Sequence, residues 1–136
     1  MKRAFLLFVV LSVFAVQAGA QAPDAASLTG TWKVTSVSVG GSSFSASEQK
    51  KAESLNGRFR NARFQFRSGH HCSFDCGVPE LRIQDGYWQL INATTVEVRE
   101  WKDRRSLLMS VLIEKTGTAT QFRLDETPFI FTVVKE

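Results

Sequence analysis

His70-His71-Cys72-Ser73-Phe74-Asp75-Cys76 gathers two imidazoles, two thiols and a carboxylate into one short segment, and it holds every His and Cys of the chain. Imidazole, thiolate and carboxylate are metal ligands, but Cys-x3-Cys beside His-His is not a standard zinc spacing, so no metal is expected. In an oxidising compartment the default is a disulfide between Cys72 and Cys76, with free or redox-active thiols as the alternative. A straight strand would hold those two residues about 13 Å apart, roughly twice the reach of a disulfide. Pairing therefore needs a turn through residues 73–75, and so small a loop adds only ~2 kcal/mol.

A second loaded segment, Arg58-Phe59-Arg60-Asn61-Ala62-Arg63-Phe64-Gln65-Phe66-Arg67, interleaves cations with aromatic rings. Single-strand nucleic-acid binders do the same. In a strand, however, Phe64 and Phe66 share one face and Arg63 and Arg67 the other, which describes an amphipathic strand with a solvated face. Arg58 or Arg60, out of phase with Phe59, could instead point inward to receive a ligand carboxylate. No Gly-x-Ser-x-Gly elbow is present, and no catalytic constellation stands out. Glu97, Glu100 and Asp103 sit beside Arg99, Lys102 and Arg104, as cross-strand ion pairs do. Asn92-Ala93-Thr94 matches the glycosylation sequon at a turn.

These residues need a scaffold, and the chain has 136 residues, enough for one domain. Eleven Phe and three Trp supply a core, which excludes intrinsic disorder. Lys2 and Arg3 precede an apolar run over residues 4–16, and Ala18-Gly19-Ala20 follows. That is the pattern of a secretory signal peptide, with cleavage after Ala20. The apolar run is shorter than the roughly 20 residues of a spanning helix, so no stable membrane anchor is expected. Cleavage removes two cations and halves the formal net charge of +4. No strong basic stripe survives, and nucleic acid is excluded as a partner. Residues 1–20 are thus read as signal peptide, 21–27 as a tether and 28–136 as the folded domain, secreted or periplasmic.

The folded part reads as strands. Residues 28–39 are rich in β-branched side chains, and the apolar phase shifts from Trp32 and Val34 to Val37 and Val39. Such a shift implies a bulge near Thr35-Ser36. Ser45 or Ser47 is placed to cap a short surface helix over 48–55, with Gly57 as its stop. Further strands are expected over 58–60, 62–67, 80–84, 87–91, 94–101, 107–115, 120–125 and 129–135. Asp85-Gly86 is the expected turn of a hairpin. The fold class is all-β, an antiparallel up-and-down barrel of about eight strands with one short helix between the first two.

Leu28-x-Gly30-x-Trp32, opening the first strand, resembles the Gly-x-Trp signature of the lipocalins and the wider calycin group. The order of signature strand, short helix and hairpin-linked meander resembles the small secreted bacterial lipocalin-like domain proteins, as does Asp85-Gly86-Tyr87-Trp88-x-Leu90. The resemblance implies structural roles for Gly30 and Trp32, the Trp plugging one barrel end. It also implies an Arg laid across the indole, for which Arg123 and Arg99 are the candidates. An eight-stranded barrel holds either packed side chains or one small ligand.

Two functions follow as expectations, both non-catalytic and without a cofactor, in a monomer or weak dimer. The first is binding of a small apolar or amphipathic ligand inside the barrel, with walls from Trp88, Val96, Val98, Met109, Val111, Phe122 and Phe131 and a charge from Arg58 or Arg60. The second is a protein-binding module with a filled interior, such as an inhibitor of a secreted hydrolase, using a loop at 70–79 stiffened by the cysteine pair. The free volume inside the barrel separates them.

Overall fold

A computed structural model describes residues 24–40 and 44–136. Residues 1–20, expected as a signal peptide cleaved after Ala20, lie outside the described residues. Eight antiparallel strands close into one barrel in sequence order: β1 (Gly30–Val39), β2 (Arg63–Phe66), β3 (His71–Asp75), β4 (Ile83–Leu90), β5 (Thr95–Glu100), β6 (Leu107–Thr116), β7 (Ala119–Leu124) and β8 (Phe129–Lys135). Helix α1 (Ala25–Leu28) precedes β1, and α2 (Ala46–Leu55) lies between β1 and β2.

β1 closes the barrel because it bends. It pairs with β2 through residues 30–33 and with β8 through most of its length. The register against β8 slips between Val34 and Ser36, the bulge that the phase shift predicts. Trp32 and Val34 therefore face inward before the slip, and Val37 and Val39 pack against the core after it.

One end of the barrel is sealed by α1, so the stretch read as a tether is partly helical. Asp24 caps this single turn through a capping box with Ser27. The Trp32 indole Nε1 donates to the Leu28 carbonyl at 2.9 Å. The cation over the Trp32 ring is Lys135, its Nζ 5.8 Å from the centroid and donating to the Ser27 carbonyl at 2.8 Å. Arg123 and Arg99 do not fill that role. Arg123 pairs with Glu114 and Arg99 with Glu97, both facing outward on their strands. Gly30 has φ +140, and a Cβ there would meet Lys135 Cε at 2.8 Å, so the signature glycine admits the lysine.

The other end is sealed by the α2 segment. Ser45 caps α2 by accepting from the Glu48 N–H, and Ala52 is its buried residue. Residues 58–60 are not a strand. Asn56–Phe59 is a 3₁₀ turn that drops Phe59 into the barrel, fully buried, and leaves Arg58 and Arg60 exposed on either side. Asn61, at φ +66, reverses the chain into β2.

The expected hairpin at Asp85-Gly86 is also absent: β4 continues through it, with a bulge at residues 84–85 where its register against β3 slips. The chain turns earlier, where Pro79–Leu81 forms a 3₁₀ turn after β3. Gly86 is required for space: an added Cβ would lie 2.8 Å from Val98 Cγ1 and 3.0 Å from the Cys72 carbonyl oxygen. Gly86→Ala should therefore lower stability by about 1–3 kcal/mol. The check is a lower urea midpoint at unchanged m-value; an unshifted midpoint would mean that the sheet relaxes around the methyl.

Candidate functional site

The interior is filled. Phe64 stacks on Phe74 with centroids 4.1 Å apart, and its edge meets Phe122 at 5.2 Å. Phe59 packs on Phe129 and Phe131 at 4.7 and 4.9 Å, closing the mouth from within. Of the expected ligand walls, Val96, Val98, Val111, Phe122 and Phe131 are wholly buried and Trp88 nearly so. They belong to one continuous core rather than to the lining of a cavity. Met109 is partly buried at the rim. Trp88 is held through both its side chain and its backbone: its Nε1 donates to the Arg67 carbonyl, and its own carbonyl accepts from His70 Nδ1, both at 2.9 Å.

The segment 71–75 is strand β3, not a loop, and this separates its chemistry. Alternation sends His71 and Ser73 outward and Cys72 and Phe74 inward. Imidazole and thiol thus lie on opposite faces and do not converge on a metal. Cys72 and Cys76 are both free thiols. The expected disulfide is not formed: residues 73–75 are extended in β3 rather than turned, Cys72 points into the core, and Cys76 lies beyond the strand's end. Cys76, just past the strand end, donates weakly to the Val78 carbonyl at 3.4 Å. Burial pushes the Cys72 thiol up to about 12, and burial also raises Cys76.

The outward face of the same strands carries a different constellation. His71 of β3 lies opposite Tyr87 of β4, and Tyr87 lies opposite Arg99 of β5. His70 stacks on Tyr87 at 5.1 Å. Trp101, in the turn after β5, closes on His71 at 5.6 Å and on Tyr87 at 5.9 Å. The Arg104 guanidinium sits 4.1 Å from the Tyr87 centroid and 5.2 Å from that of Trp101.

Arg99 holds this turn in place by donating from Nη1 to the carbonyls of Arg104 and Arg105 at 3.3 Å each. Its Nη2 binds Glu97, so the carboxylate aims the guanidinium. The Trp101 N–H adds a bond to the Asp85 carbonyl at 3.2 Å. Arg99, expected inside against Trp32, is a positioning residue on the outside.

His71 Nε2 donates to Asp85 Oδ1 at 2.8 Å, while its Nδ1 is buried without a hydrogen-bond partner among the described residues. Hydrolytic triads put the carboxylate on one ring nitrogen and the nucleophile on the other. Here the second nitrogen meets no hydroxyl or thiol among the described residues, and the pair with Asp85 fixes the ring. The sequence does not bring Tyr87, Trp101 and Arg104 together: Tyr87 reads only as part of a strand and Arg104 only as an ion-pair partner. The signal available was an aromatic in the outward phase, Tyr87 beside inward Trp88.

No protein-family model, curated protein or solved structure matches this chain.

The buried thiol makes a prediction with a definite sign. The unfolded thiol ionises near 9.0 and the folded one near 12. Above pH 9 the unfolded chain therefore binds fewer protons, and stability falls as pH rises. From Cys72 alone, urea unfolding should lose roughly 1 kcal/mol over the first pH unit above that point, and Cys72→Ala should lose correspondingly less, keeping only the part due to Cys76. Parallel pH profiles for the two proteins would refute the assignment.

Proposed function

We propose that this chain is an exported, lipocalin-like barrel acting as a non-catalytic protein-binding module, through its outer surface. The Gly30-x-Trp32 opening and the eight-stranded closure support the family reading, and the charged start and apolar run of residues 1–20 support export. The observation that carries the binding reading is the exposed Trp101, packed against Tyr87 and Arg104 outside a barrel whose inside is full.

Trp, Tyr and Arg dominate the binding energy of protein interfaces, and they act best when held rigid before contact. Arg99 and the Asp85 backbone provide that rigidity here. Carriage of a small apolar ligand loses its support, since the residues expected to wall a pocket pack against each other. The cysteine-stiffened loop at 70–79 is likewise replaced as the contact surface by the strand face beside it.

A photo-crosslinking amino acid at position 101, introduced in the exporting cell, should yield a discrete protein adduct that Arg104→Ala weakens. The same group at Thr116, at the far end of β6, should yield none. Native mass spectrometry of the exported protein should show the bare chain mass. A retained small molecule, or equal adducts from both positions, would overturn the reading.

A further inference from the structure

β6 starts with two consecutive leucines in solvent. Leu107 is 49% exposed and Leu108 40%, and with Trp101 they make an apolar patch at one barrel rim. The cause is a bulge: the register against β5 slips so that one residue, Arg99, faces the two leucines. On the other side β6 pairs with β7 only from Val111 onward. Among the described residues, 107–109 therefore have a strand neighbour on the β5 side alone. A bulged edge resists sheet extension, so what the rim offers a partner is side chains.

Two clefts flank the leucines, of about 460 Å³ toward Trp101 and about 270 Å³ toward Thr127. Both are lined by Leu81, Leu108 and Met109, so the two clefts adjoin across an apolar floor and form a groove with polar walls. Its rim is acidic at both ends, with Glu80, Asp85 and Glu100 at one and Asp125 and Glu126 at the other. The opposing cations are Arg82 and Lys102, and Arg82 is engaged by Asp75 at 3.5 Å. The side chains of Glu80 and Glu100 have no hydrogen bond or ion pair among the described residues.

We infer that this groove docks a short segment of a partner protein in which Leu- or Val-type side chains are flanked by Lys or Arg. The apolar side chains fill the clefts over Leu81, Leu108 and Met109. The cations meet exposed carboxylates at both ends of the groove, of which Glu80 and Glu100 have no partner among the described residues, and this fixes the sign of the partner. The inference rests on the protein-binding reading and adds a location and a chemistry to it.

The probe is an acetylated, amidated peptide of alternating Lys and Leu, compared with its Glu-for-Lys counterpart by backbone-amide NMR of the protein. The basic peptide should shift the Glu100, Leu108 and Met109 amides saturably, and the acidic one should not. Leu108→Ser, and separately Glu80→Gln with Glu100→Gln, should each weaken binding about tenfold. Leu108 is exposed, so the fold is retained, with circular dichroism as the control. Equal binding of both peptides, or shifts confined to other faces, would overturn the proposal. So would Leu108 shifts that track self-association in sedimentation, which would make the occupant a second copy of this chain. Adducts from position 101 that survive all three substitutions unchanged would sink the groove while leaving protein binding intact; a complete lack of adducts would sink both.

Discussion

A closed eight-stranded barrel is stabilised most when the volume it encloses is filled by its own side chains, because a void deprives its lining of dispersion contacts. Here the occupant is aromatic. Phe64 makes ring contacts with Phe66, Phe74, Phe122 and Phe131, and so ties β2 to β3, β7 and β8 through the centre of the barrel. Everything else adapts to that packing. β1 bulges to present Trp32 and Val34 before the slip and Val37 and Val39 after it. Phe59 descends from a loop to finish the stack. Gly86 gives up a side chain so that Val98 and Cys72 can approach.

A packed interior moves recognition to the surface. The outward phase of β3, β4 and β5 places His71, Tyr87 and Arg99 in one row. The barrel fixes the spacing of that row, and Arg99 exports the rigidity to the turn bearing Trp101 and Arg104. The carboxylate of Glu97 is thus felt two steps away, at rings it does not touch.

The strands from β5 to β8 were legible in the sequence within a residue or two, because their apolar alternation is set by local pleat and burial. The β1 bulge was legible for the same reason, as a change of phase. What failed were residues whose meaning depends on neighbours distant in sequence. Asp85-Gly86 carries a strong turn signal, but Gly86 answers to Val98 across the sheet. Phe59 alternates with two arginines as in a strand, yet the mouth it plugs is built by β8. The cation for Trp32 came from Lys135, because the last strand ends beside α1. For the surface cluster, composition named the residue types, while the turn geometry that brings Trp101 onto β4 had no local signature.

The two free thiols impose an order of events on the chain. In β3 the backbone is extended and Cys72 is sealed inside, so the native state holds its thiols where they cannot meet. Before folding, Cys72 and Cys76 sit four positions apart on a supple chain, and an oxidant can join them. The resulting tight loop cannot be drawn out into β3, since a disulfide spans about half the distance the strand demands. Without β3, β2 and β4 lose the strand between them and the cylinder stays open. In an oxidising compartment, then, collapse of the aromatic core would have to precede oxidation, and once β3 is in place the barrel wall shields the Cys72 sulfur.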